Sequence, residues 1–209
     1  FDPTKANVPM AERDELDRWV LSELHQLVRR VTAAYEGYDA TEATRPIQAF
    51  IDDLSNWYLR RSRRRFWKTT EDTDKAAAYL TLYECLLTVA KLLAPAMPFL
   101  ADALYRNLVS VDKNAPESVH LAHWPDADEA LIHQRLLDDM ELIKRLSELG
   151  RSAREAVGIK LRQPLAEGMF AVRNPAELGA LKRLEYLLSD ELNLKAIHLL
   201  DSVGGVVAY

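Results

Sequence analysis

The chain has little cysteine, little glycine and no initiator methionine. Its single cysteine, Cys85, excludes a disulfide framework and a cysteine-rich zinc site. Cys85 lies in the apolar run 82–93, where a small buried hydrophobe is expected; a reducing cytoplasm suits that usage. Seven glycines in 209 residues leave no glycine-rich loop that could cradle phosphate. No apolar run reaches the length of a membrane span and no signal peptide opens the chain, so no membrane partner is expected. Phe1-Asp2-Pro3 begins without Met and reads as a piece of something longer. No nucleophile and base stand at catalytic spacing, and no catalytic residue is assigned. His120 and His123 are three apart but have no third ligand nearby, and zinc needs three or four. His25, His133 and His198 are isolated, so no metal or cofactor is expected.

At 48% hydrophobic and 28% charged residues, there is enough apolar surface for a real core in one large or two small domains. After an extended lead-in over 1–9, Leu16, Trp19, Val20, Leu24, Leu27, Val28, Val31 and Tyr35 form one helical stripe, with Gly37 as its C-cap. A second helix runs to about 65. Pro46 either sits at its first position or bends an earlier turn that starts from Thr41. The third helix, about 74–93, is apolar nearly all round and is expected at the centre. Pro98 suits the first turn of a fourth, about 97–110. A loop with Trp124-Pro125 follows.

Asp126 is expected to cap a long helix, about 127–157, which Gly150 interrupts. Thereafter the pattern alternates. Residues 159–165 read as an edge strand ending near Pro164, 169–172 as a short strand, 175–188 as a helix and 192–200 as a strand. The fold class is mainly α: an antiparallel helix bundle over 1–125, then a long helix with a small α+β module over 126–209.

One stretch stands apart. Phe50, Ile51, Leu54, Trp57 and Tyr58 follow helical spacing, and from Trp57 to Lys68 there are five Arg and one Lys with no acid. The whole chain has net charge −5. Positive charge concentrated at one helix end, beside Trp57, Tyr58, Phe66 and Trp67, is the footprint of a nucleic-acid contact. Arg60, Arg61, Arg63, Arg64, Arg65 and Lys68 are candidates for backbone phosphates, because Arg forks meet phosphate bidentately. Trp67 is the first candidate for base stacking, although Phe66 or Trp67 could instead close the helix end. Arg151, Arg154, Lys160 and Arg162 form a second cationic set. The alternative is a protein-docking or interdomain helical module without RNA contact, its arginines paired to acids such as those at 71–74.

Leu54-Ser55-Asn56-Trp57-Tyr58 followed by Arg60-Arg61-Ser62-Arg63-Arg64-Arg65-Phe66-Trp67 resembles the signature of the isoleucyl-tRNA synthetases, in the helical domain that follows their catalytic core. Leu16-Asp17-Arg18-Trp19 resembles the opening helix of that domain. The segment 93–101 resembles one shared by the valyl, leucyl and isoleucyl enzymes. Arg151-Ser152-Ala153-Arg154 with Lys160-Leu161-Arg162-Gln163-Pro164-Leu165 resembles the eukaryotic-like branch, which also occurs in bacteria. The resemblance implies a tRNA anticodon-binding region of an ATP-dependent isoleucine–tRNA ligase. It implies isoleucine tRNA and the same chain's catalytic and editing domains as partners, in a monomer. ATP and Mg would be handled by the catalytic core, whose His-Ile-Gly-His-like and Lys-Met-Ser-Lys-Ser-like signatures do not occur in these residues.

Overall fold

The computed structural model describes residues 1–67, 70, 72–171 and 174–200. The chain divides into two compact units, Phe1–His133 and Gln134–Tyr209. Residues 126–133, assigned above to the second part, lie on the first helix of the first unit. The Asp128 N–H donates to His25 Nδ1 (3.1 Å), the His133 N–H donates to Ser22 Oγ (2.8 Å), and Arg29 pairs with Glu129 (2.9 Å).

The first unit is a helical bundle. A 3-10 turn, Met10–Glu12, leads into α1, Glu15–Glu36. Gly37 ends α1 as expected, but the left-handed conformation falls on Tyr38, at φ 58°. α2 spans Ala40–Asp53; Asp39 caps it by accepting the Glu42 N–H at 2.9 Å. The helix thus starts before Pro46, close to Thr41 as the second alternative has it, and Pro46 is not at its first position. It sits buried inside α2, where its ring is part of the packed face.

The helix continues through a π segment, Leu54–Leu59, into α3, Arg60–Phe66. A π turn is wider than an α turn. Both Trp57 and Tyr58 face inward here, at 7% and 0% exposure. α4, Thr73–Leu93, is capped by Asp72, which accepts the Lys75 N–H at 2.8 Å. α5, Pro98–Leu108, opens on its proline as the sequence predicts. α4 packs against α1, α2, α3 and α5, so it is the central helix.

α4 corrects one expectation. Its 21 residues, with a window of mean hydropathy 1.4, are long and apolar enough to cross a membrane by length and composition. Its use in this fold is different. Ala77, Ala78, Thr81, Cys85 and Ala90 are fully buried against neighbouring helices. Thr81 and Glu84 receive Arg13 from the segment before α1.

The second unit holds α6, Gln134–Ala156, β1, Gly168–Ala171, α7, Pro175–Leu192, and β2, Ile197–Leu200. β1 and β2 pair in parallel, with Gly168 opposite Ile197 and Ala171 opposite Leu200, and α7 connects them. The α+β expectation holds, with three corrections. Asp126 caps no helix, since α6 starts at Gln134. Residues 159–165 are turns rather than a strand, joined beside the sheet through the Leu165–Leu194 bridge. Gly158, at φ 70°, ends the helical course there. The strand expected over 192–200 shortens to β2, because α7 runs on to Leu192 and Asn193 turns left-handed at φ 52°. Of the strand expected at 169–172, Val172 lies outside the described residues.

Candidate nucleic-acid interface

The cationic stretch is divided by helical geometry. Positions 60, 63, 64 and 67 follow i, i+3, i+4, i+7 and share one face. Arg60, Arg63 and Arg64 are exposed, and Trp67 is 79% exposed. Positions 58, 62, 65 and 66 share the opposite face. Tyr58, Ser62 and Phe66 are buried there, and the Phe66 ring meets Tyr79 edge-on at 5.0 Å. Phe66 thus closes the helix end and Trp67 points out.

Arg65 is on the inner face, and here the sequence reading needs correction. Its Nη1 and Nη2 donate to Asp17 Oδ1 (2.8 Å) and Oδ2 (2.6 Å), and its Nε donates to Asp74 Oδ1 at 2.7 Å. Tyr58 donates its hydroxyl proton to Asp17 Oδ1 at 2.6 Å, and the Asp14 N–H donates to Oδ2 at 3.2 Å. Asp17 is fully buried, with four donors to satisfy it. The pull of Asp17 and the other anions overcomes burial, which favours the neutral guanidine, and raises the Arg65 pKa. Burial first, and then the Asp17 charge, push the Tyr58 phenol well above its usual range. Arg65 is therefore a structural cation, with its charge consumed inside the fold. Pairing of the run with the acids of 71–74 is seen between Arg65 and Asp74; Glu71 lies outside the described residues, as does the predicted contact residue Lys68.

Arg61 is intermediate. Its guanidinium lies 3.8 Å above the Trp57 ring, a cation–π arrangement that ties it to the helix.

The second predicted set also divides. Arg154 is buried at 5% exposure; its Nη2 reaches the carbonyls of Lys160 (2.7 Å) and Gln163. Arg151 donates to the buried Glu191 at 2.7 Å. Both hold the second unit together. Lys160 and Arg162, on the turns that Arg154 clasps, are exposed.

Asp17 and Arg13 were not singled out from the sequence as partners of a buried ion pair, whereas Asp74 belongs to the acids offered above as partners of the run. Asp17 had a readable signal, because it falls in register with the buried stripe of α1 through Val20, Leu24 and Val28. An acid there requires a cation from elsewhere in the chain. Among the described residues, no group of three or more His, Cys, Asp or Glu side chains could hold a metal. What the exposed stripe can do chemically is neutralise and fork onto anionic oxygens, with one large aromatic face beside it.

A family model described as the anticodon-binding domain of tRNA ligase matches residues 17–168. The chain is 52% identical over 187 residues to an isoleucine–tRNA ligase of Dehalococcoides mccartyi (strain CBDB1), covering 89% of this chain and 18% of that protein. It is 46% identical over 209 residues to an isoleucine–tRNA ligase of Cytophaga hutchinsonii, covering 99% of this chain and 19% of that protein. For the isoleucine–tRNA ligase of Thermus thermophilus the identity is 44% over 203 residues, 96% of this chain and 20% of that protein. The chain thus spans about a fifth of the length of these curated relatives.

Proposed function

The chain belongs to the anticodon-binding domain family of tRNA ligases, and we propose that it holds the anticodon stem-loop of a tRNA on the face of Arg60, Arg63, Arg64 and Trp67. The observation that carries this reading is the separation of the arginines. Arg65 is consumed by Asp17 and Asp74, while Arg60, Arg63 and Arg64 stand exposed on one stripe of a chain with net charge −5. A charged stripe built on a buried, ion-paired base is suited to a polyanion whose phosphates recur along a line. Trp67 offers a face for an unpaired loop base. Lys160 and Arg162 supply a second, smaller cationic contact.

The relatives point to isoleucine tRNA as the ligand, and to a parent protein that joins isoleucine to it. On this reading ATP and Mg belong to the ligase's catalytic parts, and this chain's work is to position the RNA. The parent's catalytic and editing domains would be its partners within one polypeptide, acting in the cytoplasm as a monomer.

The test is a salt titration of binding to tRNA bearing an isoleucine anticodon, beside one with a different anticodon. The Arg63→Ala/Arg64→Ala chain is measured in parallel. Each lost phosphate contact lowers the slope of log affinity against log salt by about 0.7–0.9. The double variant should therefore lose roughly 1.5 units of slope and bind more weakly to both RNAs. Preference for the isoleucine tRNA in the unsubstituted chain supports base readout. Unchanged affinity and slope in the double variant would overturn the assignment of this face.

A further inference from the structure

We infer that Asp17 is a positioning residue for RNA binding: it holds Arg65 inward at the last turn of α3, and so keeps the stripe of Arg60, Arg63, Arg64 and Trp67 on the outer face. This rests on the reading of that stripe as the RNA face.

α3, seven residues long, is the last stretch of the helix that runs on from α2 through the π segment. The buried Tyr58, Ser62 and Phe66 turn one face of this helix inward, and of the five arginines at 60–65 Arg65 falls on that face. One ion contact locks that phase at the last turn. Asp17 is an anion with no exposed surface, and such a charge demands a matched cation. Arg65 fills it with a two-bond fork at 2.6 and 2.8 Å. The same guanidinium reaches Asp74 on α4 at 2.7 Å. One side chain thereby fastens α3 to α1 and α4 together. Tyr58, one helical face earlier, donates to the same carboxylate and fixes its orientation.

Each residue of an α-helix advances by about 100°. Were Arg64 to take the place of Arg65, the outward stripe would turn by that amount, carrying Arg60 and Trp67 off the face they now share. An acid with no access to solvent would then control binding of an anionic ligand.

That makes a prediction of unusual sign. Removing a negative charge near a polyanion site normally strengthens binding. Asp17→Asn should instead weaken it, roughly tenfold, with the salt slope reduced by more than one contact. Arg65→Lys keeps every charge but loses the fork, and should weaken binding in the same way. A direct phosphate contact at position 65 would survive that change with little loss.

The experiment is tRNA affinity against salt for the unsubstituted chain, Asp17→Asn and Arg65→Lys, each well below its unfolding midpoint by circular dichroism. Weaker binding by both folded variants supports the inference. Binding by folded Asp17→Asn that is unchanged or tighter overturns it. If Asp17→Asn does not fold, Arg65→Lys decides: a tenfold loss supports the inference, unchanged affinity overturns it. Failure of the unsubstituted chain to bind any tRNA at low salt would instead overturn the RNA reading itself, and the inference with it.

Discussion

Gly150 of α6 lies directly against Leu192 of α7. A Cβ at Gly150 would stand 2.4 Å from Leu192 Cδ1, 2.8 Å from Cδ2 and 3.2 Å from Cγ. The helix is not interrupted there; the missing side chain is what allows α7 to come close. Gly150→Ala gains about 1 kcal/mol of helix propensity and incurs overpacking of about 1–3 kcal/mol against a leucine that is itself buried. A net loss of about 1 kcal/mol is expected in urea denaturation. Adding Leu192→Val should recover part of it, since the two sites are in contact.

Arg13 is a buried cation outside the basic stretch. It donates to Glu84 through both Nη atoms at 2.8 and 2.9 Å, to Thr81 Oγ1 at 3.1 Å and to the Val8 carbonyl at 3.2 Å. Arg13→Ala strips all four contacts and should cost about 2–3 kcal/mol, less than a fully enclosed pair because Glu84 is partly open to water. Arg13→Lys should recover only a fraction, as one ammonium cannot span the fork.

The two kinds of arginine on α3 should separate in stability measurements made without RNA. Arg63→Ala and Arg64→Ala each alter an exposed side chain and should stay within about 0.5 kcal/mol of the unsubstituted chain. Arg65→Ala leaves Asp17 buried with less than its complement of donors. It should cost about 3 kcal/mol by denaturant titration.

His25 makes stability depend on pH in a definite direction. Burial holds its pKa below the ordinary 6.5, against weaker upward pulls from Asp128 and Glu84. Its Nδ1 accepts the Asp128 N–H, which only an unprotonated nitrogen can do. The unfolded chain therefore binds a proton more readily than the folded one. The stabilisation is fully present above about pH 6.5 and is lost as pH falls through the lower folded value. Thermal midpoints should drop between pH 7.5 and pH 5.5, and His25→Gln should flatten that portion of the profile.

Tyr38 is 96% exposed and carries φ 58°, a conformation unfavourable to an aromatic residue. Since almost none of its side chain is packed, Tyr38→Asn should stabilise the chain by about 0.5–1 kcal/mol, read as a higher unfolding midpoint.

The helical stripes were legible because burial repeats at 3.6 residues, and α1, α4 and α5 fall within a few residues of their expected bounds. Residues 159–165 misled because apolar and polar side chains alternate there without a paired strand. Pro164 and the clasp of Arg154 on the carbonyls of Lys160, Leu161 and Gln163 decide that segment, and neither has a periodic signature. At the candidate interface, the sequence identified the cations but treated them alike. Helical phase separates Arg60, Arg63 and Arg64 from Arg65. The partner that gives the separation its meaning, Asp17, is 48 residues away and becomes visible only when α1 and α3 are packed.

The π segment Leu54–Leu59 has a consequence for which changes this helix can tolerate. Its wider turn accommodates one residue more than an α turn between α2 and α3. Deleting one residue there, the exposed Ser55 for example, would let an ordinary α turn close while the helix beyond keeps close to its present phase, so that Arg65 would still face Asp17. Deleting one residue beyond the segment, the exposed Arg63 for example, would instead turn the residues that follow by about 100° and carry Arg65 away from Asp17. A single-residue deletion at Ser55 should therefore be better tolerated than one within α3, although both leave the same buried acid to be paired.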